Sequence, residues 1–269
     1  MRIEGSTVLV TGASSGIGAA LAPLLAERGA TVGIVARRRE RLEEVLEQCR
    51  WHTPDSQLFV ADLGDLDRAA AVTREAWDTF GGLDSIVHNA GIPKRTPVPK
   101  LTFDDVTHVM DVDFHSPVRM TLEVLPRMLE RGSGQFVFVS SMGGRTAIAN
   151  EAAYNAAKFA MCGWAEAMYI DVYDTGVEVK LVLPGPIDTE IWDQPDNEAA
   201  IFEIDKVPAR DCALDIANAM ENDGFEYYAP AIYPGGLDAK AMVVDKTRDC
   251  DTYMRGMAQF AAGLRAGDA

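Results

Sequence analysis

The chain has 269 residues, with 25 Lys plus Arg against 41 Asp plus Glu and a formal charge of −16. That acidity argues against nucleic acid or an anionic membrane as a partner, since both are polyanions. With 48% hydrophobic and 25% charged residues the composition is that of a globular protein and excludes general disorder. Cys49, Cys162, Cys212 and Cys250 are widely spaced without a C-x-x-C pair, so they read as neither a zinc ribbon nor a disulfide framework, and a reducing compartment is expected. Residues 1–4 carry no leader-like pattern and the apolar stretch 17–26 stops at Glu27, short of the roughly 20 residues a span requires; a cytoplasmic protein is the expectation.

Short β-branched runs alternate with longer helical patterns along the chain. The first is a strand at 7–10, followed by a helix over 18–28, in which Pro23 should kink or shift the turn. A strand at 31–35 and a helix at 39–49 follow, then a strand at 58–60, a helix at 66–80 and a strand at 85–88. Beyond these come one long helix at 103–129, a strand at 136–139, a helix at 153–174, strands at 177–183 and 227–233, and a closing helix at 252–264. Several strands are apolar without alternation, as strands buried on both faces are. The βαβ order therefore predicts an α/β fold: a doubly wound parallel sheet of Rossmann type with helices on both faces, in one domain over 1–269. The long stretch 189–208 is expected to be a substrate lid, and 234–269 a C-terminal tail.

The first strand runs into Thr11-Gly12-Ala13-Ser14-Ser15-Gly16-Ile17-Gly18 and then a helix. Gly12 suits a tight turn, Gly16 a close backbone approach to a pyrophosphate, and Gly18 close packing of helix on strand, with phosphates received at the helix N-terminus. A glycine-rich turn without a ligand is the competing reading, weakened by the placement between first strand and first helix.

The T-G-x-x-x-G-x-G spacing resembles the classical short-chain dehydrogenase/reductase family, and further pieces of that pattern follow in order. Asp62-Leu63 resembles the pair that contacts the adenine, and His88-Asn89-Ala90-Gly91 the family's N-N-A-G, with His88 in place of the first Asn. Ser141 stands thirteen residues before Tyr154, and Tyr154-Asn155-Ala156-Ala157-Lys158 matches Y-x-x-x-K. Pro184-Gly185-Pro186-Ile187-Asp188-Thr189 resembles the P-G-x-x-x-T segment that holds the nicotinamide. The resemblance covers residues 6 to about 233, and implies a nicotinamide cofactor, catalysis by Ser141, Tyr154 and Lys158, and a homodimer or homotetramer paired through the helices that carry Asp113 and Tyr154.

At the end of the second strand, where an NAD-binding protein places Asp or Glu for the ribose 2′-hydroxyl, this chain has Ala36 followed by Arg37, Arg38 and Arg39. A guanidinium fork suits a 2′-phosphate, so NADP (NADPH) is expected ahead of NAD, with Arg37 the main contact by resemblance and Arg38 a second. The competing reading is that these arginines pair with Glu40, Glu43 and Glu44 on a solvated helix start.

Tyr154 and Lys158 are four apart on a predicted helix and share one face. A nearby ammonium stabilises a phenolate, so Tyr154 can give a proton to a carbonyl oxygen or take one from an alcohol, while Ser141 holds that oxygen. Asp113 stands where the family has an Asn that acts largely through its main-chain carbonyl. A carboxylate near Lys158 would favour the ammonium; the alternative is that Asp113 turns toward water or a helix N–H.

His108, Asp111 and His115 fall on one helix face, yet no metal is expected there, since that face points away from Asp113. Met110, Met120 and Met128 read as packing residues, His88 as buried and hydrogen-bonded, and Asp104, Asp105 and Asp111 as a solvated face. Met142, Gly143, Ile148, Trp192 and Phe202 are expected to wall the substrate pocket. The whole predicts an NADP(H)-dependent oxidoreductase that acts on a small-molecule ketone, aldehyde or secondary alcohol. A redox-linked epimerase or dehydratase would carry T-G-x-x-G-x-x-G and a larger substrate domain; a nucleotide-binding regulator or scaffold without turnover would favour loss of Ser141, Tyr154 or Lys158, all of which are present.

Overall fold

The computed structural model describes residues 1–200 and 205–267. The chain opens with β1 (Thr7–Thr11), α1 (Gly16–Glu27), β2 (Thr31–Ala36), α2 (Arg39–Arg50), β3 (Gln57–Val60), α3 (Leu66–Phe80) and β4 (Ser85–His88). After these come α4 (Phe103–Met110), α5 (Ser116–Arg131), β5 (Gly134–Val139), α6 (Ala152–Asp171) and β6 (Val177–Pro184). The short strands β7 (Ile187–Asp188) and β8 (Val207–Pro208), α7 (Ala209–Glu221), β9 (Glu226–Ala229), α8 (Ala239–Arg248) and α9 (Cys250–Gly267) complete it.

Among the described residues seven strands form one parallel sheet in the order β3-β2-β1-β4-β5-β6-β9. Its alternate residues feed two separate cores. Val8 and Val10 of β1 pack with Leu21 of α1, Leu42 of α2 and Ile216 of α7, whereas Leu9 packs with Val72 of α3, Val124 of α5 and Met161 of α6. Burial on both faces is why the strands lack alternation in sequence. The strand order reverses between β1 and β4, and the crevice at their carboxyl ends is where an open α/β sheet receives a ligand. Among the described residues no helix is long and apolar enough to cross a membrane.

The predicted elements differ from the structure at five places, the first being α7, a helix over Ala209–Glu221 where no element was expected between the strands at 177–183 and 227–233. The single helix expected over 103–129 is broken at Asp111–His115 by one π-helical turn between α4 and α5. Pro117, in the first turn of α5, has no N–H to give the Asp113 carbonyl four residues earlier, so the turn can widen there. The strand expected at 227–233 ends at Ala229, since Pro230 has no N–H to offer a ladder. The tail holds a further helix, α8, capped by the Asp238 carboxylate, which accepts from the Ala241 N–H at 3.0 Å. Pro23 neither ends nor displaces α1, which continues to Glu27.

The stretch after β6 has structure of its own, with β7 paired in parallel to β8 and a 3₁₀ turn at Glu190–Asp193. Phe202, an expected pocket wall, lies outside the described residues.

His88 is buried at the end of β4 against the Phe136 and Phe138 rings, at centroid distances of 6.3 and 5.1 Å, with Nε2 2.9 Å from the Thr121 hydroxyl. Burial lowers its pKa to about 3, so the folded protein keeps the imidazole neutral while the unfolded chain takes up a proton at about 6.5. Its contribution to stability is complete above that value and is lost as pH falls toward the folded one, at up to about 1.4 kcal/mol per pH unit. In urea unfolding the wild type should lose about 2 kcal/mol more than His88→Asn on going from pH 7 to pH 5, a difference between the two proteins that the opposite contribution of other groups leaves unchanged.

Candidate active site

The crevice begins where β1 turns into α1. Gly12 has φ +69°, and a Cβ there would lie 2.7 Å from the Ala90 Cα; a Cβ on Gly18 would lie 2.5 Å from the Gly12 carbonyl oxygen. Only glycine permits that crossing of backbones. The adjoining segment is tied to it: Thr11 Oγ1 accepts from the N–H groups of Asn89 and Ala90, each at 3.0 Å, and Asn89 Nδ2 donates to the Thr11 carbonyl at 2.9 Å. Ser15 is the N-cap of α1, yet its side chain makes no capping bond and the first turn contains no acid. The helix therefore presents free N–H groups where an anion is favoured, and the glycine cradle fits a dinucleotide pyrophosphate.

Around this cradle the structure brings together most residues expected at the cofactor site. Gly12, Ser14, Ser15, Gly16 and Ile17 line the crevice with Arg37, Arg38, Asp62, Leu63, Asn89, Ala90, Gly91 and Thr189. Gly18 lies behind the lining, against Gly12. Pro184, Gly185 and Ile187 line an adjoining cavity of about 240 Å³ that Ile17, Asn89, Gly91 and Thr189 share.

Ser141, Tyr154 and Lys158 line that second cavity. Ser141 follows β5 and caps a short 3₁₀ turn, accepting from the Gly143 N–H at 3.0 Å, and lies close enough to Tyr154 to pull its phenol pKa down. Tyr154 and Lys158 sit one turn apart on α6, with Nζ 5.5 Å from the Tyr154 ring centre. Behind them stands Asp113, 0% exposed, with Oδ2 3.2 Å from Lys158 Nζ and Oδ1 accepting from the Ile92 N–H at 2.8 Å. It thus takes neither of the other expected courses: its carboxylate turns from water and from helix N–H groups onto the lysine.

Burial works against the Lys158 charge, but the Asp113 and Tyr154 oxygens outweigh it and hold the ammonium above the ordinary lysine range. Tyr154 titrates above the ordinary phenol range because burial, with the charges of Asp113 and Glu151, outweighs the pull of Lys158 and Ser141. Burial raises the Asp113 carboxyl against the pull of Lys158 and the Ile92 N–H, so the resting site holds a protonated phenol beside a buried carboxyl and ammonium that share their charge with each other. It can donate a proton to an oxygen placed beside Ser141 and Tyr154.

The cavity wall includes Met142, Ile148 and Trp192 as expected, with Met242, Tyr253 and Met257 from the tail. Sequence reasoning missed three contributors. Arg95 is buried and donates to the main-chain carbonyls of Ile191, Trp192 and Glu198, fastening that segment to the loop after β4; a lone arginine in an unpatterned loop gives no sequence signal. Glu151 is 8% exposed in the cavity wall, and burial pushes its carboxyl up to about 7 despite Arg95. Its place three residues before Tyr154 was the available signal. Glu190 reaches across the crevice to Arg38 and Arg41. The arginine run pairs within α2 only through Arg39 and Glu43, at 3.7 Å. Asp111 and His115 pair with each other at 2.8 Å on the exposed side, and among the described residues no group of three ligand-type side chains could hold a metal.

The fold and this Ser-Tyr-Lys site define a class, and comparison with known proteins names it: the profile of the "short chain dehydrogenase" family matches residues 6–199, and the chain belongs to that family of oxidoreductases. A Drosophila melanogaster dehydrogenase/reductase SDR family protein 7-like is 33% identical over 71% of this chain, and the match spans 60% of that relative's length. The Bacillus subtilis oxidoreductase YxnA is 33% identical over 98% of this chain and 69% of its own length. A Burkholderia cenocepacia short-chain dehydrogenase solved in complex with NADP superposes with TM-score 0.79 at 26% identity, covering 96% of this chain and 99% of that one.

Removing one partner of a buried ion pair leaves an uncompensated charge, so Asp113→Leu should lower the free energy of unfolding in urea by about 3–5 kcal/mol. Asp113→Asn, which keeps an acceptor for the Ile92 N–H, should cost less.

Proposed function

We propose that the protein is an NADP(H)-dependent carbonyl reductase or alcohol dehydrogenase acting on a small molecule. The observation that carries this reading is the convergence of Ser141, Tyr154 and Lys158 on one cavity beside a dinucleotide-shaped cradle. When bound, a nicotinamide supplies or accepts the hydride at the substrate carbon. Gly12, Gly16 and the N–H groups of α1 would hold the pyrophosphate, Asp62 and Leu63 would flank the adenine, and Lys158 and Thr189 the nicotinamide end. Ser141 donates to the substrate oxygen, Tyr154 passes its proton to that oxygen as negative charge develops, and the Lys158 ammonium stabilises the phenolate left behind.

Asp113 bears on the resting state: burial, with the charges of Asp113 and Glu151, outweighs the pull of Lys158, so the Tyr154 phenol rests protonated and ready to donate. The presence of all three catalytic side chains speaks against a regulator or scaffold without turnover.

For the cofactor, Ala36 at the end of β2 offers no carboxylate to a ribose 2′-hydroxyl, while the Arg37 and Arg38 guanidinium groups line the crevice. A homodimer or homotetramer paired through the helices of Asp113 and Tyr154 is supported by exposed Leu122 and Leu129 on α5 and Phe159 and Ile170 on α6.

NADPH consumption measured against a panel of aromatic ketones, steroids, sugars and acyl thioesters tests the activity. On any substrate found, Tyr154→Phe should leave NADPH affinity within about twofold and remove at least 99% of turnover, whereas Lys158→Met should damage both. Near-normal turnover in Tyr154→Phe would refute the assignment. For cofactor choice, fluorescence titration of Arg37→Ala should show NADPH weakened about ten- to a hundredfold and NADH little changed.

A further inference from the structure

Resting on the cofactor reading above, we propose that Glu190 is a built-in competitor of the cofactor's 2′-phosphate and so sets how strongly this protein prefers NADPH over NADH. The two arginines expected at that phosphate are not equivalent. Among the described residues Arg37 has only a distant partner, Asp62 Oδ2 at 3.9 Å, and both side chains are more than half exposed. Arg38 is fully engaged: Nη1 donates to Glu190 Oε2 at 3.0 Å, Nη2 to the Ser15 hydroxyl at 2.7 Å, and Nη2 and Nε to the Ser14 hydroxyl at 3.1 and 3.3 Å. The other Glu190 oxygen is held by Arg41, one turn further along α2.

A carboxylate bridging two guanidinium groups is the local equivalent of a phosphate, which presents its oxygens to the same forks. Arg38 and Glu190 line the same crevice, beside Ser14, Ser15 and Arg37. A 2′-phosphate that takes Arg38 must displace the Glu190 carboxylate, whereas a 2′-hydroxyl makes no such demand. The two arginines hold that carboxylate below the ordinary glutamate range, so it remains an anion, and a competitor, at any pH where the protein is folded and near neutrality. Glu190 begins the 3₁₀ turn that follows Thr189, whose side chain stands over Gly16 of the cradle. The competitor is thereby carried by the chain segment that borders both the cofactor crevice and the substrate cavity.

The pair is about half exposed, with side chains 41% and 44% accessible, so the competition is moderate rather than prohibitive. Titration of the full-length protein with NADPH and with NADH, followed by nicotinamide fluorescence, reads it directly. Glu190→Gln should tighten NADPH about three- to tenfold and leave NADH within about twofold. The gain should fall below about twofold in an Arg38→Ala background, because the two side chains act through one contact. NADPH affinity unchanged or weakened in Glu190→Gln overturns the proposal, as does equal tightening of both cofactors. A gain undiminished without Arg38 also overturns it, since that is the effect of net charge alone. Wild-type protein that binds neither dinucleotide overturns the cofactor reading itself, a result distinct from normal binding that Glu190→Gln leaves untouched.

Discussion

A lysine ammonium kept charged inside the protein is the constraint on which this site depends. Lys158 is almost wholly buried, where an isolated cation is costly, and Asp113 supplies the compensating anion from the π turn between α4 and α5. Three segments are fixed by that one contact: α6, which also carries Tyr154; the π turn; and the Gly91–Ile92 backbone, whose N–H group satisfies the other carboxylate oxygen. Gly91 has no room for a side chain, as a Cβ would lie 2.9 Å from Asp113 and 3.1 Å from Lys158. The Ser141-Tyr154-Lys158 cluster and the glycine-lined crevice thus meet at a single buried charge pair.

The same pair shapes the chemistry. In the family pattern an Asn occupies this position, and a neutral amide leaves the field of the lysine free to act on the tyrosine. Here that field is divided between Tyr154 and a carboxylate. The Tyr154 phenol is consequently less acidic than the lysine alone would make it and stays protonated at rest.

On the cofactor side the governing interactions are weaker and more exposed. The glycine crossing at Gly12 and Gly18 leaves no room for a side chain, with a Cβ at either position 2.5–2.7 Å from neighbouring backbone. The arginines at the crevice mouth are long side chains, each with a protein counter-charge: Asp62 for Arg37 and Glu190 for Arg38 and Arg41. Exposed pairs of this kind are worth little individually, which is what allows a ligand to exchange with them.

The glycine loop, the Ser141-Tyr154-Lys158 spacing, the arginine run and the parallel sheet were legible in the sequence because each depends on local backbone demands or on a period along one element. Asp113 was legible as a departure in residue type, but its course was not, since that depends on a π turn seeded by Pro117 and on an amide twenty-one residues away. The end of β9 and the presence of α8 escaped for a related reason: a proline and an Asp cap override the apolar pattern that was read there. Arg95, Glu151 and Glu190 acquire their meaning from contacts across the cavity and crevice, spanning up to 152 positions in the case of Glu190 and Arg38. The sequence by itself determined which chemistry the chain can carry. Tertiary structure alone decided which charges face one another, because electrostatic partnership depends on distance in space and not along the chain.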